Sequence, residues 1–219
     1  MIRHIRHLAT GLVLVAAAIA SAPAMADRPP SQVVLEVGGA IPKGNLGNDF
    51  YDTELGLGIK SGLEMGFRWR FFLNEAWSLS PAFHFLNSKD FKSVTPEGDD
   101  FRIKPTSFRY TLEVMWMPGA RDASFRPFAA VSGGLFRNRV EGFHKTYDRP
   151  FDSSVNTFGA MGRAGVKLGA FELCVLYAWN VFDTWNFFET GQAETYDWSH
   201  TGARAAWIVP FGGEGDSQK

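Results

Sequence analysis

Residues 63–71 read Leu-Glu-Met-Gly-Phe-Arg-Trp-Arg-Phe, and the alternation within this stretch decides the fold. Successive side chains of an extended strand point to opposite faces, so one face is wholly apolar and the other carries Glu64, Arg68 and Arg70. A helix would place the two arginines on two sides of its cylinder, beside apolar neighbours. The stretch therefore predicts a β-strand. It belongs either to a soluble sheet with its apolar face inside or to a membrane barrel with its apolar face toward lipid.

The first 26 residues have the three parts of a secretory signal peptide. Arg3 and Arg6, with adjacent histidines, form a basic start, residues 11–20 are apolar, and Ala24-Met25-Ala26 matches an A-x-A cleavage site. The apolar run is too short to cross a bilayer as a helix. We expect residues 1–26 to be removed on export and residues 27–211 to form a single domain.

The composition of the mature chain excludes several classes of function. Without Arg3 and Arg6, 20 of the 22 basic residues remain against 23 acidic ones, which is no electrostatic footprint for nucleic acid. Cys174 is the only cysteine, so an internal disulfide and a cysteine-based zinc site are excluded. No later segment approaches the roughly 20 apolar residues of a membrane helix, so a membrane-spanning form must use strands.

The alternation of residues 63–71 recurs along the mature chain and predicts eight strands. The predicted strands cover residues 32–40, 59–71, 76–86, 106–117, 125–136, 155–169, 171–181 and 196–211. Long predicted loops, at 41–58, 87–105, 137–154 and 182–195, alternate with short turns. Outer-membrane barrels show this asymmetry between long external loops and short periplasmic turns.

The bulk of the apolar faces favours the membrane arrangement. An eight-stranded barrel has an interior only just wide enough for side chains, and the many Trp, Phe, Tyr and Leu residues are too bulky for it. We therefore place them toward lipid, in an eight-stranded antiparallel up-and-down transmembrane β-barrel. The predicted lumen charges are Glu36, Glu64, Arg68, Arg70, Arg109, Glu113, Arg163, Lys167, Glu172 and Arg204. A soluble lipocalin-like periplasmic barrel or sandwich is less favoured, because its outer faces would be polar.

The strand series from Val33-Val34-Leu35-Glu36-Val37-Gly38-Gly39 to Trp207-Ile208-Val209-Pro210-Phe211 resembles the small eight-stranded outer-membrane barrels. These include the transmembrane domain of outer-membrane protein A, outer-membrane protein X and the opacity proteins. The resemblance implies a Gram-negative outer-membrane location, with outer-membrane lipid, lipopolysaccharide and the barrel assembly machinery as partners. Members commonly end on an aromatic residue recognised by that machinery, whereas Phe211 precedes a polar tail, residues 212–219.

The search for catalytic and metal-binding residues favours a non-enzymatic protein. A lipid A deacylase of the family uses His-x-Ser, a pattern that this sequence lacks. Asp197, Ser199 and His200 are the residue types of a triad, but an adjacent serine and histidine in a strand point to opposite faces. The histidines of the mature chain, His84, His144 and His200, are far apart, so we expect no metal site and no cofactor.

Two features remain as carriers of function. The interleaved lumen charges indicate a salt-bridged plug that stabilises the barrel, with a small passive pore as the alternative. The fourth long loop concentrates aromatic residues that suggest a contact surface, or rings lying in the lipid interface: Phe182, Trp185, Phe187 and Phe188. We expect an envelope-structural role, or adhesion to an unknown extracellular ligand through the external loops.

Overall fold

A computed structural model describes residues 31–47, 58–89, 91–94, 100–120, 123–144, 149–185 and 193–211. The predicted signal peptide and the polar tail lie outside these ranges. Within them, no helix is long and apolar enough to cross a membrane.

The described residues form eleven β-strands and a short 3₁₀ turn at Asn45–Gly47. The strands are β1 (Ser31–Pro42), β2 (Gly62–Phe72), β3 (Trp77–Ser88), β4 (Phe91–Val94), β5 (Asp100–Trp116), β6 (Phe125–His144), β7 (Arg149–Leu168), β8 (Phe171–Trp179), β9 (Val181–Trp185), β10 (Ala193–Asp197) and β11 (His200–Phe211).

Eight of these strands pair into a closed antiparallel ring in the order β1, β2, β3, β5, β6, β7, β8 and β11. Pairing of β1 with β11 along their whole length closes the ring. The tight turns have local causes: the Asn74 side chain accepts hydrogen bonds from the N–H groups of Ala76 and Trp77, and Gly169 adopts a φ of 59°. The predicted eight-stranded up-and-down barrel is confirmed.

The faces of the strands are sorted as the alternation predicts. Along β8, residues Phe171 to Trp179 alternate strictly between exposed and buried, with the large apolar side chains outside. Phe67, Phe83 and Tyr110 lie in contact on the outer face of neighbouring strands, with ring centroids 5.2–6.0 Å apart. The outside of this barrel is therefore apolar, and its inside carries the charge.

The predicted long loops are in large part strands, which corrects the sequence analysis. Residues 137–144 and 149–154 of the predicted loop 137–154 belong to β6 and β7, each of which is 20 residues long. The predicted loops 87–105 and 182–195 contain β4 and the start of β5, and β9 and β10. Beyond the apolar belt the outward side chains are mostly polar, as at Asp152, Ser154 and Asn156, and only single inward residues such as Val140 and Val155 are apolar. The hydrophobic alternation that marks a strand is therefore weak there.

Small residues make room for the long charged side chains inside. The inward positions of β3 and β6 carry, among others, Ser78, Ser80, Ala82, Ala130 and Ser132, all buried. Most of the charged groups project from β1, β2, β7, β8 and β11. Most of the arginine and glutamate side chains that fill the lumen thus come from one side of the barrel and reach toward the small residues of β3 and β6, and Arg109 and Glu113 come from β5 between those two strands.

Candidate functional site

A buried ion-pair cluster occupies the middle of the barrel. Nine of the ten predicted lumen charges belong to it, and each is at most 6% exposed. Its members are Glu36, Glu64, Arg68, Arg70, Arg109, Glu113, Arg163, Glu172 and Arg204. The cluster brings together five arginines and four glutamates from β1, β2, β5, β7, β8 and β11. Members that are in contact lie up to 168 residues apart in sequence.

Glu36 is the centre of the cluster. One of its carboxylate oxygens lies 2.9 Å from Nη2 of Arg68 and 3.3 Å from Nη1 of Arg163. The other lies 3.1 Å from Nη1 of Arg204 and 2.8 Å from Nε2 of His84. A buried carboxylate is tolerated only when it is paired and hydrogen-bonded, and Glu36 meets this condition with four partners.

The other three carboxylates each bind two arginines. Glu113 accepts two hydrogen bonds of 2.6 Å from Arg163 and one of 3.0 Å from Arg68. Glu172 pairs with Arg68 and Arg70. Glu64 pairs with Arg109 at 2.7 Å and with Arg204 at 2.6 Å. The shared arginines join all four acids into one continuous network.

Two basic residues near the short turns lie apart from this network. Lys167 is half-buried, faces Glu172 in the strand register, and forms no ion pair with a described residue. Arg126, which the sequence analysis missed, is buried and donates hydrogen bonds to the backbone carbonyls of Glu75, Met117 and Pro118. The adjacent Ala129-Ala130 and Gly133-Gly134 blurred the alternation of β6, so its inward face could not be assigned from sequence.

An apolar cluster closes the end of the barrel that carries the long connections, and we call it the outer-end core. It consists of Ala40, Leu46, Ile59, Leu86, Ile103, Val140, Phe182, Tyr196 and Trp198. The first long connection enters it: the N–H of Ile59 donates to the carbonyl of Leu46, and the N–H of Lys43 donates to that of Ser199. The Asn45 side chain bonds the backbone of β10 at Thr195 and Asp197, which holds this connection over the mouth.

The predicted aromatic contact surface is corrected at Phe182. This ring is only 6% exposed and stacks on Tyr196 with centroids 5.9 Å apart. The pairing of β9 with β10 turns Phe182 into the outer-end core, away from solvent. Trp185 ends β9, and Phe187 and Phe188 lie outside the described residues.

The residues that resemble a triad have other partners. Ser199 Oγ accepts a hydrogen bond from the backbone N–H of Asn180, and Asp197 accepts one from the backbone N–H of Ser199. His200 Nε2 lies 3.1 Å from Nη1 of Arg109. The serine hydroxyl and the imidazole therefore face different neighbours.

The buried ion-pair cluster and the outer-end core together predict a barrel without a conducting pore. We expect no discrete openings when the protein is reconstituted into planar bilayers, because ion pairs fill the middle of the lumen and apolar side chains close its outer end. Step-like currents that change when Arg68 or Glu113 is replaced by a neutral residue would contradict the plug and favour the pore.

The exterior decides what kind of barrel this is. Leu35, Val37, Phe67, Trp69 and Val175 are 46–64% exposed on the outer face, whereas the arginines lie inside. Exposing such an apolar face to water is unfavourable, whereas contact with lipid is favourable. The chain folds as a small eight-stranded outer-membrane β-barrel.

Comparison with solved structures finds barrels of the same kind. The Neisserial surface protein A structure covers 83% of this chain and 98% of its own, at 12% identity and a TM-score of 0.48. Outer membrane protein OprG from Pseudomonas aeruginosa covers 83% and 97%, at 11% identity and a TM-score of 0.49. At such identities the likeness concerns the fold alone. No family model matches the chain, and neither does any curated protein.

One similar barrel is an enzyme. The outer membrane protease OmpT from Escherichia coli covers 85% of this chain and 97% of its own, at 8% identity and a TM-score of 0.38. Because a fold does not specify a function, the function of this barrel must be argued from its own residues.

Proposed function

We propose that this barrel is a non-enzymatic surface protein that binds an extended segment of an extracellular protein along the open edge of β7. The observation that supports the proposal is a sheet that continues beyond the barrel wall. Above the ring, β4, β5, β6 and β7 pair side by side, and β6 pairs with β7 as far as His144 and Arg149. This sheet ends at β7. Among the described residues no strand pairs with β7 above Ala160, and β9 touches only the foot of this edge, where Thr157 Oγ donates a hydrogen bond of 3.3 Å to the carbonyl of Val181.

The edge is open because β8 is shorter than β7. The pairing of β7 with β8 ends at Ala160 opposite Trp179. Beyond Asn180 the chain continues as β9, which pairs with β10 in a separate two-stranded sheet. Residues 149–159 of β7 therefore lie beyond the last residue pair that β7 forms with β8, Ala160–Trp179.

The direction of the backbone groups on this edge follows from the registers. The N–H of Ile208 donates to the carbonyl of Ala170, the residue opposite it. The backbone N–H and C=O groups of even-numbered residues of β8 therefore point toward β11, and those of odd-numbered residues point toward β7. Odd residues of β8 lie opposite even residues of β7, as in the Ala160–Trp179 pair. Above this pair, the residues that direct both N–H and C=O toward the open side include Asp152, Ser154 and Asn156.

The chemistry of the edge suits a peptide strand. Alternating donors and acceptors, repeated about every 6.8 Å, are complementary to another extended backbone. Natural edges are commonly blocked by proline and charge, which between residues 149 and 159 occur only at the upper end, at Arg149, Pro150 and Asp152. Residues 153–158, Ser-Ser-Val-Asn-Thr-Phe, carry no charge.

The edge is held in place before any partner arrives. Arg139 on β6 binds Asp152 through two hydrogen bonds of 2.9 and 2.6 Å and pairs with Glu141 at 2.7 Å. These hydrogen bonds lower the pKa of the Asp152 carboxyl below its ordinary value. Val155 packs against the outer-end core. A preformed edge reduces the ordering cost of binding.

A second copy in the same membrane is not the partner that we propose. Two barrels inserted in the same orientation run β7 in the same direction, each tilted by roughly 35–45° from the membrane normal. A two-fold axis along that normal would cross the two strands at about twice the tilt, so a continuous antiparallel ladder could not form.

The test uses random peptides of about twelve residues, displayed on phage and selected against the barrel in lipid nanodiscs. Asn156→Pro removes an N–H from the open side while leaving the hydrogen bonds between β6 and β7 intact. We expect selected peptides to bind this variant about tenfold more weakly, because a hydrogen-bonding position of the edge is lost.

Asn156→Ala is the matched control, since it removes the side chain and keeps the backbone donor. It should bind the selected peptides like wild type, and retention of the faster mobility of unboiled samples on gels would show that both variants are folded. Equal binding by Asn156→Pro and wild type, or a selection that yields no peptide sensitive to residue 156, would refute the proposed edge.

A further inference from the structure

The hairpin formed by β9 and β10 continues the β8–β11 pair in the same register. β8 pairs with β11 up to Ala178 opposite His200, and β9 pairs with β10 from Val181 opposite Asp197 upward. Both strands advance by three residues between these two pairs, so neither carries an inserted residue. The hairpin is therefore the upper half of the β8–β11 ladder, bent away from β7.

The hairpin separates from β7 just above its foot. Thr157 Oγ donates a hydrogen bond of 3.3 Å to the carbonyl of Val181, so this carbonyl points toward β7. Alternate residues of a strand direct their backbone groups to the same side, so those of Asp183 and Trp185 point toward β7 as well. The groups of β9 on the other side pair with β10. β9 thus has an open edge of its own, on the side of β7.

The open edges of β7 and β9 match in register. Ala160 opposite Trp179 is the last pair of β7 with β8, and its register continued upward places Asp183 opposite Asn156 and residue 185 opposite Ser154. Asn156 and Ser154 are residues that direct both N–H and C=O toward the open side of β7. The donors of one edge are therefore placed to meet the acceptors of the other, as in an antiparallel ladder.

The inner faces of the two segments already share one apolar cluster. Phe182 and Tyr196, at the base of the hairpin, belong to the outer-end core, and Val155 of β7 packs against that core. β9 carries no proline, and its one charged side chain, Asp183, accepts a hydrogen bond of 2.6 Å from the Thr195 hydroxyl within the hairpin. Pairing of β9 with β7 therefore requires only that the upper part of the hairpin pivots about a fixed base.

We infer that β9 is a built-in competitor for the open edge of β7. The edge exchanges between the open arrangement of this structure and a closed one in which β9 pairs with residues 154–158, and a peptide strand binds only the open one. A segment tethered beside its partner acts at an effective concentration of roughly millimolar. The apparent peptide affinity falls with the fraction of barrels that are open. This regulation rests on the proposed peptide-binding function and concerns the same edge.

Cysteine cross-linking of the full chain in nanodiscs tests the closure without any peptide. Cys174 is the only native cysteine and is buried, so Asn156→Cys combined with Asp183→Cys adds one reactive pair. Opposite residues of a closed antiparallel ladder have Cα atoms about 4.5–5.5 Å apart, within the reach of a disulfide. We expect oxidation with copper phenanthroline to link most molecules. Absence of the link in a barrel that keeps the faster mobility of unboiled samples would overturn the closure.

Asn156→Cys combined with Thr195→Cys is the matched control. Thr195 lies opposite Asp183 on the far strand of the hairpin, one strand spacing further from β7. In the closed arrangement its Cα would lie about 10 Å from that of residue 156, which is too far for a disulfide. Equal linking of both cysteine pairs would indicate random motion of the hairpin and overturn the defined closed register.

Asp183→Pro tests the competition with peptide. It removes the N–H that β9 offers to β7 and keeps the hydrogen bonds between β9 and β10. We expect the selected peptides to bind it about three- to fivefold more tightly than Asp183→Ala, which loses the same carboxylate but keeps the N–H. Equal or weaker binding by Asp183→Pro would overturn the competition. A link between residues 156 and 183 in a barrel that selects no peptide would refute the peptide-binding function and leave the closure standing.

Discussion

Replacing Glu36 with alanine is expected to destabilise the barrel by about 3–5 kcal/mol, the usual cost of breaking a buried ion pair. The Glu36 carboxylate contacts Arg68, Arg163, Arg204 and His84 in the middle of the lumen. Its removal would leave these groups buried with fewer counter-charges. Urea unfolding in phospholipid vesicles, followed by tryptophan fluorescence and extrapolated linearly to water, measures the change.

Glu141→Ala is the matched control for this prediction. Glu141 also pairs with an arginine, Arg139, but on the exposed surface of β6. Solvent screens such pairs, so its replacement should leave the unfolding curve unchanged within error. If the two alanine variants unfold alike, the ion cluster does not stabilise the barrel in the way its geometry indicates.

Trp198→Ala is expected to have an effect of similar size, about 3–5 kcal/mol, because it removes the largest side chain of the outer-end core. Trp198 is 1% exposed and belongs to the same cluster as Leu46, Ile59 and Tyr196. The resulting cavity would weaken the contact between the first long connection and β10. The same urea titration measures the loss, with hydrogen exchange at residues 43–47 as a local readout.

Trp207→Ala provides the comparison on β11. Its side chain is 54% exposed on the lipid-facing surface, so its replacement opens no internal cavity. We expect a much smaller loss of stability and no change in exchange at residues 43–47. A larger effect at Trp207 than at Trp198 would mean that lipid contact, rather than the outer-end core, stabilises this part of the barrel.

These two predictions describe a barrel that is rigid from its middle to its outer end. The ion cluster couples six strands, and the outer-end core fixes the first connection against β10 and contacts Val155 of β7. Such a scaffold holds the open edge of β7 in one conformation. This rigidity is what the proposed binding of an extended peptide requires.

The sequence by itself determined the architecture and the sorting of its faces. The period of two in residues 63–71 and its recurrence along the chain predict eight strands. The bulk of the aromatic faces, compared with the small lumen of eight strands, places those faces outside and charges such as Glu36 and Arg204 inside. These inferences succeed because alternation and side-chain volume are local properties.

Only the tertiary structure decided which groups meet and where each strand ends. The pairing of Glu36 with Arg204, the burial of Phe182 under Tyr196 and the carbonyl contacts of Arg126 depend on registers between distant strands. The free edge of β7 exists because β8 stops at Trp179 while β7 continues. Local alternation carries no information about a neighbour's length. Above the apolar belt the alternation itself is weak, because the outward side chains there are mostly polar and only single inward residues such as Val140 are apolar.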